Sequence, residues 1–180
     1  MGKLKILHYI NQFYAGIGGE EAAGHRPELR VGPVGPGAAF AAAYGERAEL
    51  THTIVCGDSF YNENTAEAKK IILDMVNEHK PDLFIAGPAF NAGRYGVACG
   101  SICEAVLNEL GVPALTGMYL ENPGADMFKD KVYVISTKNS AIGMRDAVPK
   151  MAALSLKLAA GEIIGASVEE GYIPNGVRVN

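Results

Sequence analysis

Leu83-Phe84-Ile85-Ala86-Gly87-Pro88-Ala89-Phe90-Asn91-Ala92-Gly93-Arg94-Tyr95-Gly96 reads as a short apolar strand that breaks into a glycine-punctuated loop and then opens a helix. A strand that apolar is buried on both faces, as in a parallel sheet covered by helices. In such sheets ligands bind just beyond the carboxyl ends of the strands. A bare turn needs one glycine, but here Gly87, Gly93 and Gly96 surround Asn91, Arg94 and Tyr95, an amide, a fixed cation and a phenol. The stretch therefore predicts both the fold class and a ligand-holding edge.

Outward from it, apolar strand-like runs alternate with helical patterns. Strands are expected at Lys3 to Ile10, Glu49 to Val55, Asp82 to Ala86, Pro113 to Met118 and Lys131 to Ser136. The clearest helix runs from Thr65 to about Lys80, with Asn64 as N-cap, Glu67 three residues on, and Ala68, Ile71, Ile72, Met75 and Val76 on one stripe. Others are expected from Pro36 to Tyr44, from about Gly96 to Leu110, and in a last segment ending at Ala160, which Pro149 must kink or begin. The predicted architecture is a three-layer αβα fold with a mainly parallel five-stranded sheet, flavodoxin-like or Rossmann-like in arrangement. Residues 1–161 form the α/β domain, and 162–180 read as a tail or the start of a following element.

Composition sets outer limits. The chain has 180 residues, 48% hydrophobic and 20% charged, with a formal net charge of -4, which describes a mildly acidic globular domain. It has no basic run and no tryptophan, so the electrostatic footprint of a nucleic-acid binder is missing. No apolar run is long enough to span a bilayer. Three cysteines without an extracellular signal point to reduced thiols in the cytoplasm.

The long connection from residue 11 to 36 contains Gly16-Ile17-Gly18-Gly19-Glu20-Glu21. Glu21 stands where a dinucleotide fingerprint needs its third glycine, and the acid pair would repel a pyrophosphate. A cationic ligand fits better, through Glu20, Glu21 and the faces of Tyr9, Phe13 and Tyr14; the competing reading is a solvated acid pair beside core aromatics. Cys56 and Asp58 close the second predicted strand at the same edge, whereas Cys99 and Cys103 lie on a helix stripe and read as core. His52 with Cys56 is the one pairing with a geometry for zinc, and two further ligands are lacking, so no metal is expected.

Four segments carry a resemblance: His8 to Glu21, Val55-Cys56-Gly57-Asp58-Ser59 with Asn62-Glu63-Asn64, Gly87 to Gly100, and Gly117-Met118-Tyr119 with Glu121-Asn122-Pro123-Gly124-Ala125-Asp126. Together they resemble the selenoprotein subunit of component B in the glycine, sarcosine and betaine reductases, in order and over nearly the whole chain. The resemblance implies a part in reductive C–N cleavage of an amino acid or betaine in anaerobic bacteria, an oxidoreductase system ending in acetyl phosphate. It implies, in the glycine and sarcosine versions, a pyruvoyl group on a partner component B subunit, and transfer of the carbon fragment to a selenoprotein A. The family's selenocysteine belongs to a U-x-x-C motif that falls in none of these 180 residues, so the chain resembles the amino-terminal part, as a fragment or a free-standing relative. On the residues' own chemistry, Asn91, Arg94 and Tyr95 would hold a substrate carboxylate, Glu20 or Glu21 an amine or quaternary ammonium, and Cys56 with Asp58 would stand beside the reacting bond. A noncatalytic scaffold docking the pyruvoyl partner and a cysteine-dependent, racemase-like enzyme are the competing readings.

Overall fold

The computed structural model describes residues 3–174. Six strands form one sheet: β1 (Leu4–Ile10), β2 (Glu28–Val31), β3 (Ala48–Val55), β4 (Leu83–Ala86), β5 (Ala114–Tyr119) and β6 (Tyr133–Thr137), in the spatial order β2-β3-β1-β4-β5-β6. All neighbours are parallel except β2, which runs antiparallel along β3 with Glu28 opposite Val55 and Val31 opposite His52. Without β2, the remaining five follow the doubly wound order of flavodoxin-like sheets, whose crossover direction reverses between the first strand and its neighbour β4. The predicted three-layer α/β architecture is thus present, with a sixth strand inside the connection expected to be a loop.

The helices are α1 (Gly37–Tyr44), α2 (Asp58–Glu63), α3 (Thr65–His79), α4 (Gly93–Leu110), α5 (Pro123–Phe128), α6 (Met144–Ala159) and α7 (Ser167–Glu170). Alternation along the strands divides the core. Leu7, Tyr9, Ile54, Phe84 and Ala86 face the layer holding α2 to α5, where they pack on Ile72, Val76, Ile102 and Val106. Ile6, Leu50, Leu83 and Ile85 face α1 and α6 and meet Phe40, Tyr44, Val148 and Met151. Tyr44 reaches across that second layer to Ser155, with 2.8 Å between the hydroxyls.

Local outcomes depart from expectation in instructive ways. Asn64 occupies the N-cap position of α3, but its side chain donates to the Phe60 carbonyl instead, because α2 ends directly against α3. Helix α4 begins three residues earlier than expected, at Gly93. Pro149 lies inside α6, in its second turn, and both it and Arg145, whose carbonyl loses its helical partner, are exposed residues. Beyond Ala160 the chain forms α7 and returns to the sheet: the Gly171 carbonyl accepts from Ser136, and the Ile173 amide donates to Val134. Among the described residues no helix is long and apolar enough to cross a membrane.

Candidate functional site

The carboxyl ends of β1, β3 and β4 deliver three chain segments to one rim. Leaving β1, Asn11 and Gln12 are buried and turn toward the end of β3. Asn11 Nδ2 donates to Asp58 Oδ2 at 2.9 Å, and the Asp58 amide donates to Gln12 Oε1 at 3.1 Å. Asn11 Oδ1 meanwhile accepts from the Tyr14 amide, fixing the turn that follows. The segment from Gly19 to His25 then lies against the end of β3, where the Gly57 amide donates to the His25 carbonyl at 2.8 Å. A Cβ on Gly57 would sit 2.1 Å from the Ala23 carbonyl oxygen, so only glycine permits this approach.

That approach brings Glu20 opposite Arg94. The Arg94 guanidinium gives Nη2 to the Glu20 carboxylate and Nη1 to Ser59 Oγ, tying the β1, β3 and β4 loops together. The pair is open to solvent, with side chains 45% and 75% exposed for Arg94 and Glu20. Asn62 Nδ2 holds the Arg94 carbonyl at 3.1 Å. Glu21 is turned away: its carboxylate accepts from the Gly19 amide, and that hydrogen bond holds its carboxyl below the usual range. Asn91 is exposed at the loop tip. Tyr95 is buried, its ring 5.9 Å from that of Tyr14.

The loop after β4 owes its shape to α5 rather than to a ligand. Asn122 caps α5 and donates from Nδ2 to the carbonyls of both Phe90 and Ala92, at 3.0 Å each. Phe90 takes a left-handed backbone at φ 50, held by that contact and by the Tyr119 amide. A Cβ on Gly96 would meet Asn122 Oδ1 at 2.2 Å, so this glycine serves close packing of α4 on α5.

Behind the ion pair the environment becomes dry. Asp58 is buried, and burial raises its carboxyl to about 6, against the opposing pull of the Asn11 hydrogen bond and of Arg94. Glu20 pushes it further up. Burial likewise pushes the Cys56 thiol up to about 12, although the Tyr9 hydroxyl beside it works in the other direction. Cys99 and Cys103 are buried and also raised by desolvation. All three cysteines are free, and none sits in an electropositive, accessible setting that would make a thiolate. His52, paired with Cys56 for zinc in the sequence reading, instead stacks on His79 with ring centroids 4.1 Å apart. Among the described residues no three His, Cys, Asp or Glu side chains gather as a metal site.

Of the expected site residues, then, Glu20, Arg94, Asp58, Cys56 and Tyr95 converge on the switch point between β1 and β4, while Glu21 and Asn91 stand at its edge. Asn11, Gln12 and Ser59 escaped sequence reasoning as site residues. Asn11 and Gln12 are the first polar side chains after β1, and that position at a switch point was the available signal. A groove of about 790 Å³ lies at the opposite, amino edge, lined by residues such as Pro113, Lys131, Tyr133 and Tyr172, and shares no residue with this rim.

The model of the family described as glycine/sarcosine/betaine reductase selenoprotein B matches residues 3–180. The chain is 57% identical over 180 residues to the glycine reductase complex component B subunit gamma of Carboxydothermus hydrogenoformans. It is 56% identical over 180 residues to the sarcosine reductase complex component B subunit beta of Peptoclostridium acidaminophilum. With the betaine reductase complex component B subunit beta of that organism it shares 45% identity over 174 residues. These alignments cover 97% to 100% of this chain but only 40% or 41% of each relative, so the chain spans about two fifths of their length. No solved structure gives a significant match.

Proposed function

The chain belongs to the glycine/sarcosine/betaine reductase selenoprotein B family, and from that premise we propose that it is the substrate-handling part of a reductase component B, with its pocket at the carboxyl ends of β1, β3 and β4. The observation that carries this reading is the exposed Glu20–Arg94 pair at the switch point. Glycine, sarcosine and betaine all join a carboxylate to a cationic nitrogen across one carbon. A pair of opposite charges that already face each other is complementary to such a zwitterion: the substrate carboxylate takes the Arg94 fork while its nitrogen faces Glu20. An exposed ion pair is worth only about 0–1 kcal/mol, so opening it to admit ligand costs little.

Within this reading Asn91 flanks the carboxylate and Glu21 adds negative potential on the amine side, while Tyr95, expected on the carboxylate, is buried and backs the Arg94 loop from within. Asp58 stands behind the pair, where a carboxyl near neutrality can hold or release a proton. Cys56 contributes a protonated thiol to the wall. Reduction itself calls for the selenocysteine of the family and, for glycine or sarcosine, a pyruvoyl-bearing partner subunit, with selenoprotein A as the acceptor of the carbon fragment. Phe13, Leu120 and Ile142, exposed on loops that leave β1, β5 and β6, offer apolar rim area for such partners. The same area favours a docking role, which is the second reading; the buried thiols speak against the racemase-like one.

Calorimetric titration of the chain with glycine, sarcosine and betaine tests the proposal. Saturable heat with at least one of them, lost in Arg94→Ala, is expected. Absence of saturable heat with all three, with the fold intact, would leave docking as the role.

A further inference from the structure

The groove at the amino edge of the sheet lies between the starts of β5 and β6 and the segment that follows α6. It has a volume of about 790 Å³ and is walled by Leu107, Pro113, Tyr133, Leu158, Tyr172 and Pro174. Tyr133 and Tyr172 meet edge to face, with ring centroids 4.8 Å apart. Lys129 and Lys131 also border it, but each has an acid at hand: Asp126 lies 3.1 Å from Lys129 and Asp130 lies 3.6 Å from Lys131. The groove therefore offers apolar area rather than a charge that would fix a small ion.

The segment that gives Ala166 and Ser167 to this groove also carries the two most exposed large apolar side chains among the described residues, Ile163 at 93% and Val168 at 90%. It is a fastened segment. Glu170 Oε2 accepts from Lys157 Nζ at 2.8 Å and from the Gly165 amide at 2.9 Å, the Tyr172 hydroxyl donates to the Gly165 carbonyl, and the Ile173 amide donates to Val134. These polar groups are spent within the fold, while Ile163 and Val168 face outward. Single exposed apolar residues are ordinary, but two on one fastened segment beside an apolar groove mark a surface suited to being covered.

Length identifies what covers it. This chain makes up 40% or 41% of each relative named above, and it resembles the amino-terminal part of their subunit. Pro174, a wall of the groove, is the last described residue, and the stretch from 175 to 180 can reach at most about 20 Å when extended. In a full-length relative the next part of the polypeptide therefore starts within reach of the groove, and parts of one chain commonly pack on each other through such surfaces.

We propose that the groove, with Ile163 and Val168, seats the rest of the component B subunit, which presents an apolar element to it whether joined to residue 180 or supplied as a separate chain. The covered face is then at the amino ends of the strands, and the loops around Arg94 at the carboxyl ends stay open. The inference rests on family membership and is independent of the zwitterion pocket.

The test compares alkylation of introduced cysteines in this chain and in the full-length Carboxydothermus hydrogenoformans subunit. Ile163→Cys and Val168→Cys are made singly here and at the aligned positions of that subunit, with Val31→Cys as a control, since Val31 on β2 is 86% exposed at the opposite margin of the sheet. Peptide mass spectrometry reads the rate with N-ethylmaleimide at each position. All three should react freely in the 180-residue chain. In the full-length subunit the positions of Ile163 and Val168 should slow by about 10-fold or more, with that of Val31 unchanged. Equal rates in the two proteins would overturn the proposal, as would slowing at all three positions, which would mean burial that is not directed to the groove. Slowing in this chain alone as its concentration rises would assign the groove to a second copy and overturn it as well.

Discussion

Arg94 and Glu20, 74 residues apart in sequence, close on each other between the loop that leaves β4 and the one that leaves β1. The guanidinium also holds Ser59, so one side chain joins the ends of three strands. A contact that spans the switch point and is open to water is suited to exchange partners rather than to hold the fold.

Arg94→Ala should lower carboxylate-ligand affinity by about 10-fold or more, since a charged hydrogen bond is worth roughly 1.5–3 kcal/mol. Arg94→Lys should recover part of the loss, lacking the planar fork. Denaturant melts should show a stability change within about 1 kcal/mol, as for other exposed pairs. Unchanged affinity in a folded Arg94→Ala protein would remove the residue from the pocket.

Glu20→Gln and Glu21→Gln separate the two acids. The first frees Arg94 and should weaken binding of the cationic end of a ligand. The second removes a charge but keeps an oxygen able to accept from the Gly19 amide, and should leave ligand affinity within about twofold, read by the same calorimetry. A larger effect from Glu21 than from Glu20 would reverse the roles.

Asp58 predicts a pH dependence. Its folded carboxyl, near 6, lies above the unfolded value, so the native state binds more protons between about 4 and 6. Stability therefore falls as pH rises through that window, by a few kcal/mol at most, and levels off above it. In Asp58→Asn this segment of the stability profile should flatten in urea melts run across pH. A profile identical to that of the parent would place the carboxyl at its ordinary value.

The thiols should be slow. Iodoacetamide on the folded chain should label none of the three at the rate of a free cysteine, with Cys56 first because it follows a strand at the rim, whereas Cys99 and Cys103 lie on the buried face of α4. Mass spectrometry showing Cys99 or Cys103 modified ahead of Cys56 would contradict the arrangement.

Gly96→Ala should destabilise by about 1–3 kcal/mol, because its methyl group has to displace Asn122, the residue that fixes the Phe90 turn. Gly111→Ala is a useful contrast. Its position has open space but a left-handed backbone, so its cost is local strain with no effect on α5. Equal effects on ligand binding from both would argue against a specific Asn122 role.

The parallel strands were legible because each is a short run of apolar residues bounded by turn formers. Strand β2 was not. Glu28-Leu29-Arg30-Val31 carries two charges in four residues, and a strand paired on one side only can keep them, with Arg30 Nε donating to Glu28 at 2.8 Å on the solvent face. Helices α2 and α5 are six residues each, too short for a period to declare itself. At the site, residue chemistry singled out Arg94, Glu20 and Asp58, whereas their mutual pairing depends on a glycine at 57 and on a turn set by Asn11. Both act through contacts distant in sequence.

The return of the chain to β6 also governs how the molecule can associate. Gly171 and Ile173 occupy hydrogen-bonding groups of that outer strand, and at the far margin charged β2 borders β3. Lateral growth of the sheet by recruiting a strand from another chain is thereby discouraged at both margins. Any association would then use side-chain surfaces, such as those of Phe13, Leu120 and Ile142, exposed beyond the ends of β1, β5 and β6.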